Sequence, residues 1–189
     1  MKRALLVIDA QNEYFAGGQL PVTHPHDHLG NVLRVMDAAS DAGVPVVVVQ
    51  HTFTQPEMPF FKKGTPGWEL HPDVARRPRD LWVEKNLPGS FTGTGLEDWL
   101  RGQGVDTVTV AGYMSHMCCD TTARQAAHLG LKVEFLGDAT GTLAVKNSAG
   151  EVNAEELHRS TLCAQQMMIS EVLGADAWMA RLSSGIIGA

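Results

Sequence analysis

The chain has 189 residues, enough for one domain with a sizeable core, and 44% of them are apolar against 19% charged. A formal net charge of −6, with Lys62-Lys63 and Arg76-Arg77 as the only basic doublets, excludes the basic stripe that tracks phosphates, so no nucleic-acid partner is expected. The opening apolar stretch is too short for a secretory core, no run approaches the roughly 20 residues of a membrane span, and three cysteines do not build a disulfide framework, which points to a cytoplasmic protein with no membrane partner.

In chain order, β-branched apolar runs alternate with helical segments. The first run, ALLVI (4–8), is continuous rather than alternating, as expected of a strand buried on both faces of a parallel sheet, and it ends at Asp9. Residues 27–43 place Leu29, Val32, Leu33, Met36 and Ala39 on one stripe of a helix that closes at Gly43. A second strand, VPVVVVQ (44–50), leads into residues 52–80, a long proline-rich stretch without periodicity. Its Phe60, Phe61 and Trp68 are poor solvent-facing residues, so it reads as a packed lid beside a site. LWVE (81–84) is the third strand, with Lys85 at its end, and a short helix over 94–104 takes Thr94 as its N-cap. DTVTVAG (106–112) is the fourth strand, followed by a helix that ends at Gly130 and a fifth strand, KVEFLG (132–137). The last helix, 153–168, carries Leu157, Thr161, Ala164 and Met168 on one face, with Cys163 read as structural. This alternation predicts one domain over residues 1–189, a three-layer α/β/α fold around an open, mostly parallel, Rossmann-like sheet of five or six strands.

Open parallel sheets bind ligands outside the carboxyl ends of their strands, where strand order reverses. Asp9, Lys85 and Cys118 all emerge at such ends, although they span more than half of the chain. An ammonium favours a nearby thiolate, and a carboxylate can take and return its proton. With Ser115 as a helix cap, Cys118 falls among the first N–H groups of the helix, which lower a thiol pKa and can bind an oxyanion. Cys119 shares a face with Ala123, Ala126 and Ala127, a small-residue stripe suited to packing, whereas Cys118 shares one with Thr122 and Gln125. Cys118 is therefore the candidate nucleophile and Cys119 a core residue.

Four stretches, in order, carry a resemblance over nearly the whole chain: LLVIDAQNEYF, GTPGWELHPDV, VEKNLPGSF and VAGYMSHMCCDTTARQAAHLGLKVEFLGDAT. They resemble the isochorismatase-like cysteine hydrolases, the group that includes nicotinamidases and N-carbamoylsarcosine amidohydrolase. The resemblance implies an Asp9-Lys85-Cys118 catalytic triad and a cis peptide at Tyr113-Met114 that aims the Met114 N–H, with that of Cys118, into an oxyanion hole. It also implies a homodimer or higher oligomer. Nicotinamidases carry an Asp-x-His metal motif after the second strand. Here His51 and Phe53 stand at those positions, so neither a metal nor another cofactor is expected.

The implied reaction is hydrolysis of a small amide or related C–N bond through a Cys118 thioester, with water as co-substrate. Phe15, Phe53, Phe60, Trp68 and Tyr113 are candidates for a substrate pocket by position. His51 and His116 read equally as pocket-lining residues or as hydrogen-bonded polar groups. Two alternatives stand beside this reading: a non-amide, vinyl-ether hydrolase on the same scaffold, and a non-catalytic thiol-based binding or redox-sensing protein.

Overall fold

The computed structural model describes residues 1–183, and residues 184–189 of the expected domain lie outside the described residues. The strands are β1 (Arg3–Ile8), β2 (Val46–His51), β3 (Leu81–Lys85), β4 (Thr107–Tyr113), β5 (Lys132–Gly141), β6 (Val145–Asn147), β7 (Gly150–Val152) and β8 (Glu171–Leu173). The helices are α1 (Pro25–Asp41), α2 (Pro72–Ala75), α3 (Leu96–Gly102), α4 (Asp120–His128), α5 (Ala154–Met168) and α6 (Ala175–Ser183). Six strands form one parallel sheet in the order β3-β2-β1-β4-β5-β8, and β6 pairs with β7 as a separate antiparallel hairpin.

The sheet sorts its own side chains. Leu5, Val7, Val46 and Val48 point to a core shared with Leu29, Val32 and Met36 of α1 and Trp178 of α6. Ala4, Leu6, Ile8, Val47 and Val49 point to the other face, against Leu96 and Leu100 of α3, Ala123 and Ala126 of α4, and Cys119 just before α4. Burial on both faces is why the strands read as unbroken apolar runs. The expected three-layer arrangement is therefore present, with α1 and α6 on one side and α3 and α4 on the other. Gly43 and Gly130 follow α1 and α4 in left-handed conformations, φ 67° and 81°, as helix-stopping glycines do.

Several elements depart from the sequence reading. β5 runs to Gly141 rather than 137, because its register with β4 jumps from Val110↔Phe135 to Gly112↔Thr140 and pairing resumes after the irregularity. Gly95 caps α3, while Thr94 Oγ1 donates to Ser90 O at 2.6 Å and accepts the Leu96 N–H at 3.3 Å. On α5 the buried positions are Ala154, Thr161 and Gln165, whereas Ala164, Met168 and Cys163 are exposed. Gln165 is buried because its amide is satisfied, donating to Asp120 Oδ1 at 2.7 Å and accepting from Ser170 Oγ at 2.7 Å. A count of apolar residues alone misses such a face. Among the described residues no helix is long and apolar enough to cross a membrane.

Candidate active site

The order of strands reverses between β1 and β4, and the loops leaving those two strands carry Asp9 and Cys118. Asp9 is fully buried and sits in the left-handed region, φ 49°, which turns the chain sharply out of β1 while its N–H still bonds Val49 O at 3.0 Å. β4 approaches β1 very closely at this end. A Cβ on Gly112, which has φ +112°, would lie 2.0 Å from Ile8 O, so only glycine fits.

Lys85 reaches the same point from the end of β3, where it pairs in register with His51 of β2. It is buried, not the exposed turn lysine that its Pro-Gly surroundings could also suggest. Its Nζ lies 2.8 Å from Asp9 Oδ2, donates to Cys118 Sγ at 3.3 Å and to Leu87 O at 3.2 Å, and lies 3.0 Å from His51 Nδ1. Burial works to lower the Lys85 pKa, but Asp9 and Cys118 outweigh it and hold the ammonium above its ordinary value. Burial first, then the Lys85 charge, pushes His51 down to about 4, so the imidazole is neutral at pH 7.

The peptide between Tyr113 and Met114 is cis, at the position the resemblance implies. The chain then makes a wide five-residue turn, Ser115–Cys119, in which the Cys119 N–H bonds back to Met114 O at 3.2 Å, before α4 begins. Met114, not Ser115, is the capping residue; Ser115 Oγ donates instead to His158 Nδ1 at 2.9 Å, and His158 Nε2 donates to Gly137 O at 3.0 Å. Cys118 and Cys119 are both buried, with Cys119 among the alanines of α4 and Cys118 turned to Lys85. The expected lowering of the Cys118 pKa is not what this environment produces. Burial and the Asp9 carboxylate push the thiol well above its ordinary value, and Lys85 only partly opposes them.

The other sequence-derived residues divide. Phe53 and Phe61 pack their rings on His51, at 4.5 Å and 5.4 Å between centroids, and Phe60 stands behind them at 5.6 Å from Phe53. Trp68 is half-buried and donates from Nε1 to Thr52 Oγ1 at 2.8 Å. Phe15 and Tyr113 belong to the packed core beside α1, edge to face at 5.6 Å. His116 is half-buried, with Nδ1 2.6 Å from Thr142 Oγ1.

Two residues that hold this site together went unassigned in the sequence. Gln11 is fully buried; its Oε1 accepts the His51 N–H at 2.8 Å and its Nε2 donates to His51 O at 3.0 Å and Trp68 O at 2.7 Å. Glu13 is buried two residues on and accepts from Phe61 N at 3.3 Å and Gln19 N at 2.9 Å. Polar residues two and four positions after a strand-end aspartate were the available signal, since a buried amide or carboxylate must spend its hydrogen bonds on something.

A metal of the Asp-x-His type does not fit these residues, because Phe53 has no donor atom. Asp9, His51 and Cys118 each offer one ligand atom, all within 4.8 Å of one another, but the Lys85 ammonium already lies against all three.

An Isochorismatase domain profile matches residues 3–162. The isochorismatase family protein YddQ of Bacillus subtilis strain 168 is 33% identical over 179 residues, covering 95% of this chain and 99% of its own. Nicotinamidase 3 of Arabidopsis thaliana is 34% identical over 171 residues, covering 84% of this chain and 78% of its own. The crystal structure of an isochorismatase-family protein from Burkholderia xenovorans LB400 superposes with a TM-score of 0.93 at 49% identity, covering 97% of this chain and 88% of that one. With matches of this extent in both sequence and fold, the chain belongs to the isochorismatase family of hydrolases.

Proposed function

We propose that this protein is a cysteine amidohydrolase, with Cys118 as nucleophile, Asp9 as the acid and base, and Lys85 as the electrostatic anchor of both. The observation that carries the reading is the convergence of Lys85 Nζ on Asp9 Oδ2 at 2.8 Å and Cys118 Sγ at 3.3 Å inside a buried site.

The chemistry follows from the charges. Because the resting thiol is held in its protonated form, the S–H proton passes to Asp9 only as sulfur attacks the amide carbonyl. Lys85 stabilises the negative charge as it moves between sulfur and carboxylate. The tetrahedral oxyanion is taken by the Met114 and Cys118 N–H groups, which lie where a helix begins and donors lack intrahelical partners. Collapse breaks the C–N bond, and the proton on Asp9 leaves with the amine. Asp9 then takes a proton from water, the resulting hydroxide attacks the thioester, and the acid departs as the proton returns to Cys118 sulfur. Residues 52–80 serve as a lid in this scheme, supported by Phe53 and Phe61 packing on His51. Three unpaired thiols fit a reducing compartment such as the cytoplasm. A homodimer or larger assembly belongs to the same reading and rests on the family resemblance.

The test is ammonia release from a panel of small carboxamides, with the acyl-enzyme trapped by acid quench and read by intact mass. Turnover with an adduct on Cys118, and a loss of about 10⁴-fold or more in Cys118→Ala, is the expected result. Release of product by Cys118→Ala at the wild-type rate overturns it.

A further inference from the structure

The five-residue turn Ser115–Cys119, which carries Cys118, is gripped at both ends by one face of α5. Positions 154, 158, 161 and 165 share that face at helical spacing, and Ala154, Thr161 and Gln165 are buried on it. Gln165 Nε2 donates to Asp120 Oδ1, just past the turn, at 2.7 Å. His158 holds the other end, with Nδ1 2.9 Å from Ser115 Oγ. Ser115 is fully shielded from solvent, so its hydroxyl proton needs an acceptor inside the protein. The His158 ring is set to supply one. Its Nε2 lies 3.0 Å from Gly137 O, which can only accept, so Nε2 carries the proton. Burial lowers the His158 pKa, the ring is neutral at pH 7, and Nδ1 is left to accept. Gly137 falls within the register break of β5, outside the paired residues of both neighbouring strands, and its carbonyl also accepts from Thr140 Oγ1 at 3.2 Å. The irregularity in β5 thus anchors a histidine that α5 carries.

We propose that His158 is the positioning residue of the oxyanion turn: through Ser115 Oγ it holds the Met114 and Cys118 N–H groups where the tetrahedral oxygen forms, without itself touching substrate. The proposal rests on the amidohydrolase reading and adds a residue to it. Ser115 follows Met114 directly and precedes Cys118 in the same turn, so a shift of its hydroxyl moves both donors together. The backbone bonds of the turn, from the Met117 and Cys119 N–H groups to Met114 O at 3.0 Å and 3.2 Å, set its shape. His158 and Gln165 tie that shape to α5. Oxyanion donors act only when they are held in place beforehand, and a misplacement near 1 Å costs about 10²-fold in rate.

Two conservative variants separate the two bonds of the ring. His158→Asn keeps an acceptor at the place of Nδ1 and loses the reach to Gly137 O, whereas His158→Gln keeps a donor for Gly137 O and loses the acceptor for Ser115. Ser115→Ala removes the same contact from the other side. Two readouts are taken: ammonia release from the carboxamide panel, and protection of Cys118 from iodoacetamide by propionaldehyde, which needs no turnover. In the second, Cys118 sulfur bonds the carbonyl carbon, the C=O becomes a C–O single bond, and the thiol proton ends on that oxygen in a tetrahedral hemithioacetal. His158→Gln and Ser115→Ala are expected to lower kcat by about 10²-fold with KM within about threefold, and to weaken protection about tenfold. His158→Asn is expected to stay within about fivefold of wild type in both, and His158→Gln combined with Ser115→Ala to be no worse than either alone. Urea titrations fix the folded fraction of each variant. A His158→Asn as impaired as His158→Gln, or a kcat loss that only follows lost folded protein, makes His158 structural and overturns the proposal. Should the His158 variants not fold, Ser115→Ala decides: wild-type kcat and protection overturn it. Hydrolysis with unaltered kcat in His158→Gln sinks the role of His158 and leaves the amidohydrolase standing. Protection graded across the variants without hydrolysis of any carboxamide does the reverse, and neither protection nor hydrolysis overturns both.

Discussion

Lys85 Nζ and Asp9 Oδ2 meet at 2.8 Å with both side chains wholly shielded from solvent. A pair like this is weak evidence for net stability, because desolvating two charges offsets most of their attraction. Breaking it is another matter. Lys85→Met strands a carboxylate in the interior and is expected to cost roughly 3–5 kcal/mol in urea titrations. The double variant Lys85→Met with Asp9→Asn carries no buried charge and is expected to regain part of that loss. A single-variant cost below about 1 kcal/mol would show that the carboxylate finds water or another donor.

The same carboxylate sets the state of the Cys118 thiol. Burial and Asp9 raise the Cys118 thiol and Lys85 lowers it, so at neutral pH sulfur keeps its proton. Iodoacetamide is therefore expected to label exposed Cys163 before Cys118, with Cys118 labelling rising only above the ordinary thiol range near 8.5. Asp9→Asn removes a negative neighbour and is expected to shift the Cys118 curve to lower pH and, under the proposed mechanism, to abolish turnover. Lys85→Gln shifts it to higher pH. Peptide mass spectrometry across a pH series follows each cysteine separately, and a wild-type Cys118 midpoint below 8.5 would contradict the balance of charges described above.

His51 links the site to stability in acid. Its folded pKa of about 4 lies below the 6.5 of the unfolded chain, so the unfolded state binds the proton first as pH falls. The contribution is complete above pH 6.5 and is lost as pH drops from there to about 4, a change of about 3 kcal/mol. Urea titrations at the two ends of that window are expected to show a smaller acid loss for His51→Gln than for the wild-type protein. Equal losses would place the acid sensitivity elsewhere.

Gln11 joins the end of β2 to the 52–80 segment through His51 and Trp68. Gln11→Ala leaves a buried His51 N–H and carbonyl unpaired, at about 2–3 kcal/mol. The expected signature is faster proteolytic nicking within residues 52–80 than in the wild-type protein at equal global stability margin. Unchanged cleavage would mean that Gln50, whose Nε2 also donates to Trp68 O at 2.8 Å, holds the segment alone.

Continuous apolar runs, helix-stopping glycines and the ordered strand-end residues Asp9, Lys85 and Cys118 were all readable along the chain, because periodicity and chain punctuation are local properties. The sequence also distinguished Cys118 from Cys119, since two adjacent helical positions cannot face the same way. The three-residue strands β6, β7 and β8 and the single-turn α2 were not readable, being too short to carry a period. Nor was the buried Gln165 face of α5, where hydrogen bonds rather than apolarity decide burial. Above all, the tertiary structure decided the electrostatics. Whether a thiol near a helix start is acidic depends on the sum of burial, Asp9 and Lys85, and only the fold determines how far apart those charges stand.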